Sequence, residues 1–74
     1  MDFKKATEEL MAGMTRGQIA EALGVSEATV RQARLAKPAK AHRNPPEGWE
    51  GKLARLARQR ADRLTKVAER LAPN

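Results

Sequence analysis

Arg16-Gly17-Gln18-Ile19-Ala20-Glu21-Ala22-Leu23-Gly24-Val25-Ser26-Glu27-Ala28-Thr29-Val30-Arg31-Gln32-Ala33-Arg34-Leu35 is the stretch on which the fold turns. Just ahead of it, Thr15 stands three residues before Gln18, the capping box that satisfies two otherwise unpaired amides at a helix start. A helix from about Arg16 to Leu23 follows. Gly24 supplies the positive φ of a chain reversal, Val25 returns to the core, and Ser26 caps a further helix expected to run to about Lys37, where Pro38 stops it.

Upstream, Asp2 is placed to cap a first helix in which Phe3, Ala6, Leu10 and Met14 share one face, with Gly13 as its end. Downstream, residues 37–44 read as an extended basic connector, since proline disfavours helix and almost no apolar side chain is present. Asn44-Pro45-Pro46-Glu47 looks like a helix start, but Gly48 and Gly51 weaken its first turn, so the regular helix is expected near Trp49. From Lys52 to Leu71 there is neither Gly nor Pro, and Leu53, Ala57, Arg60, Leu64, Val67 and Leu71 alternate in steps of four and three, a heptad seam. Arg60 is wrong for a dry seam and is expected to snorkel or to meet an acid such as Glu50 or Glu69 across an interface.

The segment from Arg16 to Leu35 closely resembles the helix-turn-helix of the phage-repressor, Cro and resolvase kind. The resemblance covers about twenty residues by the spacing of its motif. It implies two helices crossing steeply, with Ala20 small at their closest approach, Gly24 opening the turn, and Ile19, Leu23, Val25, Val30 and Ala33 locking the pair. It also places base contacts on the N-terminal half of the second helix, at Ser26, Glu27, Ala28, Arg31 and Gln32. These side chains suit base reading: arginine chelates guanine, glutamine adenine, glutamate accepts from cytosine, and alanine packs on the thymine methyl. Val30, Ala33 and Leu35 are expected to turn inward, and the plainer reading of the outward positions is a solvated polar face.

Phosphate contacts are expected from helix N-termini and long basic side chains, namely Thr15, Arg16, Gln18, Thr29, Arg34 and Lys37, with Lys40 and Arg43 of the connector following the backbone or entering the minor groove. A merely soluble linker fits that connector equally well. The formal net charge of +6, with pI near 10.6, favours a polyanionic partner. Residues 1–36 carry five basic residues against five acids, so the whole excess lies in residues 37–74. Charge alone equally fits an anionic membrane or an acidic protein.

With 74 residues there is room for one core, and a chain this short usually needs a disulfide, a metal or a second subunit. Cysteine is absent and His42 is the only histidine, which leaves a homodimer, paired through Trp49, Leu53, Leu56, Ala57, Arg60, Leu64, Val67 and Leu71. Two-fold pairing implies an inverted-repeat operator. Trp49 anchors the last helix, either on the N-terminal unit or on a second subunit.

The expected architecture is therefore all-α: a trihelical helix-turn-helix unit over residues 1–37, a basic linker over 38–47 and a C-terminal dimerisation helix over 48–72. No apolar run reaches the roughly 20 residues that span a bilayer and the N-terminus has no signal-like stretch, so a cytoplasmic protein is expected. Ser26 is the only serine, tyrosine is missing and no phosphate-cradling glycine loop occurs, which leaves no cast for an enzyme and no cofactor, metal or small-molecule effector site. The expected function is a DNA-binding transcriptional regulator, a repressor in the absence of any activation segment, similar in size to small phage and mobile-element regulators, including those encoded beside anti-CRISPR genes. The competing reading is an interaction module whose basic C-terminal helix binds an acidic partner.

Overall fold

The Asp2 carboxylate accepts the Lys5 amide at 2.8 Å and starts α1, Phe3–Leu10. The computed structural model describes residues 1–36 and 38–72. Within them the chain forms four α-helices and no strand, in the order α1, α2 (Arg16–Leu23), α3 (Glu27–Ala33) and α4 (Trp49–Leu71). Helix α1 ends at Leu10, three residues before Gly13. The Leu10 carbonyl takes both the Gly13 and Met14 amides, so the chain turns there. Thr7 is fully buried, and it donates its hydroxyl back to the Phe3 carbonyl at 2.9 Å, so its burial leaves no hydroxyl unpaired.

The capping box of α2 is present in both directions: Thr15 Oγ1 accepts the Gln18 amide at 3.1 Å and Gln18 Oε1 accepts the Thr15 amide at 2.8 Å. Gly24 ends α2 in the left-handed region, φ 72°, and Ser26 Oγ accepts the Thr29 amide at 3.1 Å to begin α3. The helices α2 and α3 lie against each other through Ile19, Ala20, Leu23, Val30 and Ala33, all buried, with Val25 half-buried beside them. Burying one large aliphatic side chain of this kind contributes about 1.5–3 kcal/mol.

Helix α3 stops at Ala33, earlier than expected. The Arg34 amide shifts to bridge the Val30 and Arg31 carbonyls, local turns follow in which Gln32 accepts from Leu35 and Ala36 from Ala39, and the chain returns where Gln32 also accepts from Arg43 and the Leu35 carbonyl pairs with His42 Nδ1 at 2.7 Å. The expectation of an extended connector is thus corrected. Residues 38–43 turn and fold back on the end of α3, because that end offers unpaired carbonyls to their donors. Leu35, expected to turn inward, is 39% exposed for the same reason: it already lies outside the helix.

Helix α4 begins at Trp49 behind Gly48, whose φ is 77°, with no side-chain cap; Asn44 does not serve as one. Its first half lies on α2, with Leu53 at 4% exposure and Leu56 and Trp49 packed against the core. Trp49 meets Phe3 edge to face, centroids 5.1 Å apart at 88°. Arg60 donates Nη2 to the Gly13 carbonyl at 2.7 Å. Within the single chain the guanidinium thus has a turn carbonyl as one acceptor. Every described residue from Ala61 onward is exposed. Helices of seven or eight residues are about 12 Å long and α4 about 34 Å, so the others reach only its first half. The molecule measures 54 × 20 × 18 Å.

Candidate nucleic-acid interface

The starts of α2 and α3 adjoin. The Glu27 carboxylate lies 3.6 Å from where a Cβ on Gly17 would stand, so the first turn of α3 sits against the first turn of α2. Two helix N-termini, each with unpaired amides, therefore open on neighbouring surface. Among the base-contacting candidates, Ser26 at the N-cap of α3 and Ala28 and Arg31 within it are exposed, and Gln32 is half-buried. Glu27 is exposed but turned toward α2, which makes it the least free of the five.

The phosphate candidates separate into two groups. Thr15, Gln18 and Thr29 are engaged in caps: Thr29 Oγ1 lies 3.0 Å from Ser26 Oγ, and Gln18 uses its oxygen on Thr15 while its amide nitrogen remains a donor. Arg16 and Arg34 are half-buried, and their Nε atoms are covered without a partner among the described residues. Lys40 and Arg43 are exposed and, through the Arg43 amide on the Gln32 carbonyl at 3.3 Å, are carried to the C-terminal end of α3. Lys37 lies outside the described residues. Residues 38–43 thus lie beside the C-terminal end of α3.

The dimer candidates divide along α4. Leu53 is buried, Trp49 and Leu56 pack on the core, Ala57 is half-buried and Arg60 is tied to Gly13. Only Leu64 at 59%, Val67 at 40% and Leu71 at 80% remain open. The contacts of Arg60 with Gly13 and of His42 with Leu35 have no sequence signal, because both acceptors are backbone carbonyls, which any residue supplies and no spacing reveals.

Comparison with protein families, with curated proteins and with solved structures finds no match to this chain. What the surface offers chemically is carried by its side chains. Among the described residues no three of His, Cys, Asp or Glu are gathered for a metal, and no helix is long and apolar enough to cross a membrane. The face built around the starts of α2 and α3 carries one acid, Glu27, beside several guanidinium, hydroxyl and amide donors. Guanidinium, hydroxyl and amide groups donate hydrogen bonds to anionic oxygens and to base edges alike.

Proposed function

We propose that the chain is a sequence-specific binder of double-stranded DNA, a helix-turn-helix transcriptional regulator that presents α3 to the major groove and acts as a homodimer on an inverted repeat. The observation that carries this reading is the pairing of α2 and α3 through a left-handed Gly24, with Ser26, Ala28 and Arg31 left exposed on the outer side of α3. A helix must stand proud of its support to enter a groove about 12 Å wide. Helix α3 is backed by α2, against which Val30 and Ala33 are buried, and leaves Ala28 and Arg31 exposed. Arg31 and Gln32 read bases; Arg16, Arg34, Lys40 and Arg43 hold phosphates and set register. Occlusion of a promoter makes the regulator a repressor.

Selection of bound duplexes from a random pool tests this directly. The expected result is enrichment of a two-fold symmetric sequence whose half-sites are centred about 34 Å apart. A pool left unenriched, with binding that vanishes alike for all sequences as salt rises, would replace this reading with that of a module for an acidic protein.

A further inference from the structure

We infer that the free half of α4 docks into the groove between α1 and α4 of a second copy of this chain, so that two copies exchange their C-terminal helix halves around a two-fold axis at Ala61. The inference rests on the dimer of the proposed function and names the surface that makes it. Two features lie unused on one chain. The first is an open apolar groove walled by Ala6 and Leu10 of α1 and by Leu53 and Ala54 of α4, with Glu9 and Glu50 on its rim. The second is the projecting half of α4, whose Leu64, Val67 and Leu71 share one helix face and are bordered on one side by Arg63 and Arg70.

These two features complement each other and not themselves. The groove is apolar with acids at its edge; the projecting half is apolar with arginines at its edge. A foreign acidic helix would suit the projecting half but would be repelled by the groove, whereas a second copy fills both at once. The spacing agrees. Ala54 and Ala68 lie at equal distances along the helix on either side of Ala61, so an antiparallel pair centred there sets Val67 and Leu71 over the groove of the partner. Arg70, beyond Val67 on the same side, is brought toward the acid on α1, Glu9. Leu64 then lies between the levels of Ala57 and Ala61 on the second copy, and small residues at Ala54, Ala57, Ala61 and Ala68 let the helices approach. Because the arrangement is isologous, groove and projecting half are each buried twice.

The absence of cysteine from the whole sequence gives a clean test on the full chain without DNA. Ala61→Cys, oxidised with diamide, is expected to give a covalent dimer, while Arg55→Cys, on the opposite face of α4, is expected to stay monomeric. Light scattering of the unmodified chain is expected to report twice 8.2 kDa. Arg70→Glu is expected to weaken association at least tenfold, and the double change Glu9→Arg, Arg70→Glu to recover it. A chain that remains at 8.2 kDa at millimolar concentration overturns the inference, as does equal cross-linking through both cysteines. A cross-linked dimer that enriches no duplex leaves the interface standing and removes the DNA reading; a monomer that enriches a single half-site does the reverse.

Discussion

Arg31 and Arg60 show how differently two arginines can be employed on helices of one small chain. Arg31 is exposed on α3 and makes no side-chain hydrogen bond or ion pair among the described residues, so Arg31→Ala is expected to leave the melting temperature within about 1 °C while lowering discrimination at one base position of each half-site by about 1–3 kcal/mol. Competition titrations with single-base operator variants measure this; uniform weakening across all variants would mean Arg31 touches phosphate instead. Arg60 ties α4 to the α1–α2 turn through the Gly13 carbonyl. Arg60→Met keeps the stem and removes the bond, and is expected to cost about 1 kcal/mol in a denaturant titration, with DNA specificity unchanged.

The turn between α2 and α3 is the element on which the proposed recognition surface depends. Gly24 stands at φ 72°, a conformation that costs a residue with a side chain about 1–2 kcal/mol, and the space around it is open, so the strain of Gly24→Ala is purely of backbone origin. Its expected effect is a loss of stability of that size; no loss would mean that the turn relaxes into another conformation. Ser26→Ala removes the cap of α3 and is expected to cost about 1 kcal/mol. Because Ser26 is also a base-contacting candidate, Ser26→Asp separates the two roles: it keeps the cap, restoring stability, and sets a carboxylate beside the DNA, reducing affinity. The exposed Asp62–Lys66 pair at 3.1 Å on α4 contributes little by comparison.

Across the whole molecule, charge and shape are distributed separately. The neutral N-terminal residues build the proposed recognition surface and the basic remainder supplies the field around it. A dimer that engages Arg16, Arg34, Lys40 and Arg43 on each half-site makes about eight phosphate contacts, for which affinity is expected to fall by about three to five powers of ten between 50 and 200 mM salt. A shallow dependence measured by fluorescence anisotropy would remove those residues from the interface. Leu53 joins α4 to the core. Leu53→Ala is expected to cost about 2–5 kcal/mol, enough to unfold much of so small a domain, and thermal unfolding by circular dichroism would report it.

The information legible in the order of residues is local. Asp2, Thr15 with Gln18, Gly24 and Ser26 each act within four residues of themselves, through a cap or a positive φ, and so the starts of α1, α2 and α3 and the turn at Gly24 follow from the residues alone. The apolar positions Ile19, Ala20, Leu23, Val30 and Ala33 are legible too, because a helical period records which face is buried. Periodicity, however, says that a face must be covered and not by what. It took the packing of the helices to divide the stripe on α4, giving Trp49, Leu53 and Leu56 to its own core and leaving Leu64, Val67 and Leu71 bare, because three short helices run out of length halfway along a helix of 23 residues. The same limit hid the fold-back of residues 38–43 onto α3 and the bond from Arg60 to Gly13: backbone carbonyls far away along the chain leave no trace in the residues that find them.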